Sequence, residues 1–385
     1  MTNLLTCPRF MLVGGGTAGR IAEVLGRMRV DRPLLVTDAA LAETPMFNAA
    51  LQTLRDSGRC VQVFADTVST PTDGVVAKGL EMLKAGDFDG IVAFGGGSVM
   101  DTAKAMNVLY CGGGSLRDHA LPDHLADMRV LPLLCVPTTA GTGSEASRFC
   151  AVTEEASGEH LLLSGLACVP EGAVVDYELT LDLPRRQTID AGLNALTHAL
   201  EAYVSRSAST LSDALALSAL RLIGRALPKV VREPRDAKAR EDMMLGAMEA
   251  GMAFSDVSSG LTDGMSRAMS LFFRVPQGIG SAMLLPAVAS FGLAMAPERY
   301  ALAARAMGIA TEDDEDDMAG AKLVGFLRRL CAELEVPSPR AFGIDEEEYM
   351  DALGRMANAA LAPVPGAPAV ASAEQVEHLY RQAYK

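Results

Sequence analysis

Two glycine-rich segments of this chain follow apolar runs and contain the residue types that bind phosphate. The first, residues 94–104, reads Phe-Gly-Gly-Gly-Ser-Val-Met-Asp-Thr-Ala-Lys and follows the apolar run 90–93. A glycine turn between a strand and a helix lets the backbone approach a ligand and directs the helix N-terminal N–H groups toward it. This order predicts a dinucleotide pyrophosphate site. The predicted cofactor contacts here are Gly96, Gly97, Ser98 and Asp101.

The second segment, residues 136–145, reads Val-Pro-Thr-Thr-Ala-Gly-Thr-Gly-Ser-Glu and follows the apolar run 130–136. Its hydroxyl groups and glycines again come where a strand ends, which strengthens the prediction of a phosphate-binding edge. The predicted cofactor contacts in this segment are Thr138, Thr139 and Thr142. A third run, Gly-Gly-Gly-Thr-Ala-Gly at 14–19, has the GxGxxG spacing after a strand but is only supportive by itself.

An acidic residue, Asp38, ends the apolar run 34–37. At the end of a second strand, a carboxylate can accept hydrogen bonds from the adenosine ribose and repel a 2′-phosphate. Asp38 therefore indicates NAD in preference to NADP. The alternative is that Asp38 only caps the helix that follows it.

The pattern of apolar residues places these motifs on an α/β fold. Strand-like runs alternate with helical periodicity in the first half, which is typical of a doubly wound parallel sheet. The predicted strands are 10–13, 33–37, 60–64, 89–94 and 129–136, and predicted helices include 17–28, 48–56 and 73–84. After residue 183 the apolar spacing is helical. We therefore predict a dinucleotide-binding α/β domain at 1–183 and an all-helical domain at 184–385.

Composition excludes several classes of partner. The formal net charge of −14 argues against nucleic acid or an anionic membrane as a partner. No run is long and apolar enough to span a bilayer, and no secretory leader pattern is present. The seven cysteines lack CxxC spacing, which indicates reduced thiols. We expect a cytoplasmic protein that acts on a small molecule.

The two glycine-rich segments, together with Asn-Ala-Leu-Thr-His-Ala-Leu-Glu-Ala-Tyr at 194–203, resemble the iron-containing (group III) alcohol dehydrogenase family. The resemblance covers most of the chain, in the right order. It implies a dehydroquinate synthase-like architecture, a nicotinamide cofactor and a homodimer. It also implies cofactor contacts from His160, where the family usually has lysine, and from Leu179, in a segment that lines the adenine and ribose side.

The chain departs from this family at the metal. The family holds Fe²⁺ or Zn²⁺ with one aspartate and three histidines. At those positions this chain has Asn194, His198, Asp263 and Gln277. Amide side chains are weak donors to transition metals, which normally require several His, Cys or carboxylate ligands. Tightly bound iron or zinc is therefore not expected.

Arg267 stands where the family usually has a further histidine near the nicotinamide, four residues after Asp263. One interpretation is a salt bridge between Arg267 and Asp263 that fills the former metal cavity. The other is that Arg267 binds an anionic substrate group or polarises a carbonyl in place of the metal. The predicted catalytic residues are His198 as general acid or base, Arg267 and Asp263. Asn194 and Gln277 are predicted to line the substrate pocket.

The function predicted from these residues is an NAD-dependent oxidoreductase that transfers hydride between nicotinamide and a small carbonyl or alcohol without a metal. Residues 191–196 have some likeness to maleylacetate reductases, and an acidic substrate would suit Arg267. One alternative is a nucleotide-binding protein without dehydrogenase activity, whose helical domain serves interactions. Another is a sugar-phosphate cyclase of the dehydroquinate synthase type, which the shortage of histidines and basic residues in this cleft disfavours.

Overall fold

The structure is a computed structural model and describes residues 6–121, 124–257, 260–361 and 371–385. Within these ranges every strand precedes residue 176, and the elements after residue 184 are helices. The strands are β1 (Phe10–Val13), β2 (Pro33–Asp38), β3 (Gln62–Thr67), β4 (Gly90–Gly95), β5 (Leu133–Pro137), β6 (Phe149–Thr153), β7 (His160–Ser164) and β8 (Gly172–Val175).

Five helices separate the first five strands, and ten more form the second half of the described chain. The first group is α1 (Ile21–Met28), α2 (Ala39–Ala42), α3 (Pro45–Asp56), α4 (Asp73–Ala85) and α5 (Gly97–Gly112). The second group is α6 (Arg185–Val204), α7 (Thr210–Arg232), α8 (Ala237–Val257), α9 (Leu261–Phe273), α10 (Gln277–Leu293), α11 (Pro297–Ala306), α12 (Asp316–Glu333), α13 (Pro339–Phe342), α14 (Glu346–Ala360) and α15 (Ala373–Ala383).

Six strands form one parallel sheet in the order β1-β8-β5-β4-β2-β3. Its central strands are apolar on both faces because helices cover both. Leu35, Val92 and Leu134 pack with α1 and α3 on one face. Their sequence neighbours Leu34 and Ile91 pack with α4 and α5 on the other. The predicted doubly wound sheet is confirmed.

Several predicted boundaries were wrong, and three strands were missed. β3 and β5 begin two and four residues later than predicted, and the segment Thr17–Arg20 forms a 3-10 turn before α1. The missed strands are the antiparallel hairpin β6–β7 and the four-residue β8. Strands this short carry little alternation for a sequence pattern to detect. The hairpin nevertheless forms part of the wall of the site described below.

The described residues of the second half form two helical cores. The larger one surrounds α6, whose residues 192–203 are all buried, and includes α7, α8, α10, α11 and α12. The smaller one joins α9, α10, α14 and α15. The predicted domain boundary at residue 183 lies between β8 and α6. None of the described helices combines the length and the apolar character that crossing a bilayer requires.

Candidate active site

A cleft of about 280 Å³ lies between the carboxyl edge of the sheet and the helices α6, α8, α9 and α10. It brings together many of the residues that the sequence predicted to act. The predicted residues that line it are Asp101, Thr139, Thr142, Asn194, His198, Asp263, Arg267 and Gln277. The edge of the sheet at which the sequence predicts dinucleotide binding and a cluster of polar side chains from the helical half meet in one cavity, which makes this cleft the candidate active site.

The two glycine-rich segments come together because β4 and β5 are neighbouring parallel strands. The Thr138 amide donates to the Gly95 carbonyl at 3.0 Å. A Cβ at position 97 would lie 2.7 Å from the Thr142 side chain, so only glycine fits this close approach. Gly96 occupies the N-cap of the 16-residue helix α5 and has no side chain to accept a hydrogen bond. The first N–H groups of α5, at Gly97 and Ser98, are thus suited to an anionic ligand.

The early glycine turn at 14–19 has a different partner. The backbone amides of Gly16 and Ala18 donate to the two carboxylate oxygens of the buried Asp176, at 3.2 and 2.8 Å. Since Asp176 directly follows β8, an internal carboxylate satisfies these donors. The 14–19 turn is therefore a structural turn, whereas the start of α5 is open to a ligand.

Asp38 caps α2 through a hydrogen bond from the Leu41 amide to Oδ1, at 2.8 Å. The capping that the sequence offered as an alternative is therefore present. One acidic oxygen, Oδ2, is left for a ribose hydroxyl, so capping and ribose binding are compatible in one side chain.

Two further predicted cofactor contacts, His160 and Leu179, are not among the described residues that line the cleft. His160 begins β7, with Nδ1 3.0 Å from the Thr153 hydroxyl, and burial together with the nearby Arg267 charge lowers the pKa of its imidazole. His160 is therefore within electrostatic reach of the candidate active site. Leu179 is buried in the apolar core between the sheet and α1 and α3.

Asp101 and Lys104, one turn apart on α5, organise the cleft wall. Asp101 accepts hydrogen bonds from the Ser144 hydroxyl at 2.7 Å and the Ala151 amide at 3.1 Å. The fully buried Lys104 ammonium donates to the carbonyls of Ser144 (2.7 Å), Ser147 (3.0 Å) and Phe149 (2.9 Å). Burial raises the pKa of Asp101, while the Lys104 charge opposes the shift. Lys104 ends the first glycine-rich motif, but nothing in the sequence pattern indicated this role for it.

His198 lies in the cleft wall on α6, with its ring stacked on Phe254 at 4.3 Å between centroids. Burial lowers the pKa of His198, although Asp263 and a hydrogen bond to the Thr142 carbonyl oppose the shift. Nδ1 has no hydrogen-bond partner among the described residues. The contact with the Thr142 carbonyl favours the tautomer with the proton on Nε2, in which Nδ1 is a buried acceptor. Phe254 had no distinguishing signal in the sequence, since it is one apolar residue of a helix.

Asp263, Arg267 and Gln277 form a connected polar group at the other side of the cleft. The Gln277 amide donates to Asp263 Oδ1 at 2.6 Å, and Arg267 Nη1 lies 3.4 Å from Asp263 Oδ2. The start of α10 is fixed to α9 by the Ser266 hydroxyl, which donates to the Gln277 carbonyl at 2.7 Å. The predicted salt bridge between Asp263 and Arg267 of α9 is therefore present, and Gln277 adds a hydrogen bond to the same carboxylate.

The N-terminus of α9 is held by the buried Glu201 of α6. Its carboxylate accepts from the amides of Thr262 at 2.5 Å and Asp263 at 3.2 Å. Burial, together with the nearby Asp263 charge, raises the pKa of Glu201 to about 7. Glu201 thus fixes the backbone on which Asp263 and Arg267 are presented to the cleft.

These donors do not fit a tightly bound Fe²⁺ or Zn²⁺. Both carboxylate oxygens of Asp263 already face donors, the amide of Gln277 and the guanidinium of Arg267. The positive charge of the guanidinium would oppose a metal ion at this position. Asn194 and Gln277 add only neutral amide groups, which leaves His198 as the single strong ligand. Within the described ranges, no group of three His, Cys, Asp or Glu side chains is arranged to hold a metal.

Comparisons with known proteins agree with this architecture. Residues 8–177 match the family model described as iron-containing alcohol dehydrogenase, and residues 188–384 match the C-terminal model of the Fe-containing alcohol dehydrogenase family. The chain is 32% identical to the NAD-dependent methanol dehydrogenase of Bacillus methanolicus, over 90% of this chain and 91% of that protein.

Other relatives match along the whole chain. The lactaldehyde reductase of Escherichia coli (strain K12) is 29% identical, with 100% of both proteins covered. A crystal structure of a 1,3-propanediol oxidoreductase superposes with a TM-score of 0.94 at 29% identity, again with 100% of both chains covered. The family models and these matches together span both halves of the fold. The chain therefore belongs to the iron-containing alcohol dehydrogenase family, as its two glycine-rich segments predicted.

Proposed function

We propose that this protein is an NAD-dependent oxidoreductase that interconverts a small alcohol and its carbonyl compound without a tightly bound transition metal. The observation that carries the proposal is the placement of Arg267 and His198 in one cleft with Asp101 of α5 and with Thr139 and Thr142 of the second glycine-rich segment. A relative named as NAD-dependent supports the cofactor. The guanidinium of Arg267 favours a substrate with an anionic group.

The cofactor-binding part of the proposal rests on α5 and β2. The uncapped N-terminus of α5 suits the pyrophosphate, and the threonines at 139 and 142 lie beside it in the cleft wall. Asp38, at the end of β2, would bind the adenosine ribose through Oδ2. When bound, the nicotinamide supplies or accepts a hydride at C4.

The chemistry assigned to the chain itself is proton transfer and charge stabilisation. In alcohol oxidation, the imidazole of His198 accepts the hydroxyl proton while the hydride leaves the carbinol carbon for the nicotinamide and the C=O bond forms. In reduction the same steps reverse, and the proton returns from His198 to the carbonyl oxygen. Arg267 stabilises the negative charge that develops on that oxygen or binds the substrate's anionic group. Asp263 and Gln277 position Arg267. They need not touch the substrate.

Asp38→Gly is expected to raise the Kd for NADH about tenfold and to leave the Kd for NADPH unchanged or lower, because a charge-assisted hydrogen bond to the ribose is lost. Glycine is an acceptable N-cap, so the stability of α2 should change by only a few tenths of a kcal/mol. Titration by cofactor fluorescence measures both constants. Asp345→Gly removes the N-cap of α14 and is the matched control, with no expected effect on preference. An unchanged preference in Asp38→Gly would show that Asp38 does not face the ribose.

The proposal as a whole is tested by metal analysis and NADH binding in one sample of protein purified without an affinity tag. We expect NADH binding without stoichiometric iron or zinc, followed by turnover in a screen of anionic and neutral carbonyl compounds. Stoichiometric metal would contradict the assignment of the ligands and restore metal-dependent chemistry. NADH binding with no turnover of any carbonyl would instead support a nucleotide-binding protein without dehydrogenase activity. In that case the hydrogen-bonded group of Asp263, Arg267 and Gln277 would only fill the former metal cavity.

We also propose a homodimer, supported by the edge of the sheet. β1 is an edge strand, and its Met11 and Val13 are 42% and 43% exposed. An exposed apolar edge strand is suited to pairing with a second chain. Sedimentation velocity measures the assembly, and a monomer at micromolar concentration would exclude this proposal.

A further inference from the structure

A second cavity, of about 170 Å³, lies farther along α6, between α6, α9, α10 and α11. We call it the α6–α11 cavity. None of its described lining residues also lines the candidate active site. Its walls are largely apolar and include Leu200, Val204, Leu285, Val288 and Ala289. Well-packed interiors have few voids larger than a water molecule, so a space of this size requires an explanation.

The cavity opens to solvent beside the end of α6. Met295, in the turn between α10 and α11, lines the cavity and is 51% exposed. The guanidinium of Arg299 donates to the Tyr203 carbonyl at 2.6 Å, which fixes the start of α11 beside the last turn of α6. Arg206, two residues after α6 ends, lines the cavity as well and therefore lies at the same open end.

Arg206 is the positive charge that this open end offers to a ligand. The residue is exposed, and the described part of the chain provides its side chain with no hydrogen bond or ion pair. The neighbouring Arg299, in contrast, is already bound to the Asp213 carboxylate and the Tyr203 carbonyl. A guanidinium with free donors at the opening of an apolar cavity is suited to a carboxylate, which it can bind through two parallel hydrogen bonds.

The inner end of the cavity is acidic, but its acidic group is already bound within the protein. The Glu201 carboxylate accepts the backbone amides of Thr262 and Asp263 and also the Thr262 hydroxyl. Gly260 packs directly against this carboxyl group. A polar head group therefore gains little at the inner end, and a carboxylate there would be repelled by Glu201. The two ends together direct an anionic head group outward to Arg206 and an apolar chain inward.

The dimensions of the cavity limit the length of that chain. Its wall on α10 runs from Leu285 to Gly292, which is about 10 Å at 1.5 Å per residue. An apolar cavity of about 150 Å³ holds a molecule as large as benzene, so this one accommodates about five or six carbons. Because each buried methylene group favours binding, a chain of that length should bind more tightly than a shorter one.

We propose that the α6–α11 cavity is a non-catalytic binding site for a short-chain aliphatic monocarboxylate, whose carboxylate binds Arg206 and whose alkyl chain lies between α6 and α10. The site does not depend on the reaction proposed above, because its lining is separate from that of the candidate active site. Leu261 and Thr262 belong to its wall, and Asp263 follows them directly on α9. An occupied cavity therefore adjoins the backbone that carries Asp263 and Arg267.

The test is a titration of the full-length protein with hexanoate, followed by NMR of ¹³C-labelled methionine methyl groups. Met295 lines the cavity, so its methyl group reports on this site directly, and the Met295→Leu variant assigns its signal. We expect hexanoate to shift the Met295 signal in a saturable manner. Butanoate and 1-hexanol should bind at least threefold more weakly, and the hexylammonium cation at least tenfold more weakly, because each lacks part of the chain or the negative charge.

Two variants locate the two ends of the ligand. Arg206→Gln removes the charge and should weaken hexanoate binding about five- to tenfold while changing 1-hexanol binding by less than about twofold. Arg232→Gln, at an exposed arginine at the end of α7, is the matched control and should change neither. Ala289→Leu fills the cavity and should weaken both ligands at least tenfold. If Ala289→Leu does not fold, the Arg206→Gln comparison still decides the question.

The outcomes also separate this site from its alternatives. The Arg267→Ala variant should keep the Met295 response, which distinguishes the cavity from an anion bound in the candidate active site. Hexanoate binding that Ala289→Leu leaves unchanged would place the anion on the surface at Arg206 alone and would overturn the proposal. An unmoved Met295 signal, equal hexanoate binding by Arg206→Gln, or tighter binding of 1-hexanol or hexylammonium than of hexanoate would each overturn it as well.

Discussion

Arg267→Ala is expected to lower kcat/KM for an anionic carbonyl substrate by about 10²–10³-fold, the usual loss when one donor to a developing oxyanion is removed. NADH affinity should change by less than about twofold, because α5 and Asp38 remain intact. The side chain of Arg267 is only 20% exposed and lies over the cleft, so its charge acts where water is restricted. Steady-state kinetics together with NADH titration separates the two effects.

Loss of Arg267 also leaves the buried Asp263 with one partner fewer, which could lower activity through folding alone. The double variant Asp263→Asn/Arg267→Ala removes both charges and should recover stability without recovering activity. Lys238→Ala, which breaks an i,i+4 pair with Asp242 on α8, is the matched control and should leave turnover unchanged. If Arg267→Ala retains activity, the electrophile lies elsewhere and the salt bridge only fills the cavity.

Lys104→Met is expected to reduce the free energy of unfolding by about 3–5 kcal/mol, as found when one partner of a buried charged group is removed. The variant leaves three carbonyls of residues 144–149 without their donor and removes the positive charge nearest to Asp101. Urea unfolding followed by far-UV circular dichroism measures the loss, since the chain has no tryptophan for fluorescence.

The matched control for Lys104 is Lys78→Met, an exposed lysine of α4, which should change stability by less than about 0.5 kcal/mol. A loss below about 1 kcal/mol in Lys104→Met would contradict the structural role assigned to the ammonium group. Cofactor affinity is a second measurement, because the Ser144–Phe149 carbonyls that Lys104 holds belong to the wall of the cleft. We expect it to fall in the variant even under conditions where the protein is folded.

The sequence predicted the parts of the candidate active site that depend on local pattern. Gly97 and Thr142 are 45 residues apart. They were nevertheless placed at one edge correctly, because parallel strands present their carboxyl ends together. The pairing of Asp263 with Arg267 was also predicted, since four residues is one helical turn. The roles of these residues in binding or catalysis stay predictions.

What the sequence could not predict are contacts made by distant residues without a motif. The bond from Gln277 to Asp263 depends on how α10 packs against α9. The stacking of Phe254 on His198 depends on the position of α8. The most instructive case is the 14–19 turn, which has the spacing of a dinucleotide motif although Asp176 satisfies its donors. A glycine pattern specifies a turn with free N–H groups, but only tertiary structure decides which anion meets them.

The position of Asp176 also affects how the chain must assemble. β1 lies at the sheet edge beside β8, and the amides of the 14–19 turn find their acceptor about 160 residues later in the sequence. At ~5–20 residues per second, roughly 8–30 s of synthesis separates β1 from the strand that pairs with it. During that interval the ribosome-bound chain can form β2, β3 and β4 as neighbours, while its first strand stays unpaired. The N-terminal strand is therefore among the last to join the sheet, and it closes the domain only after β8 has been made.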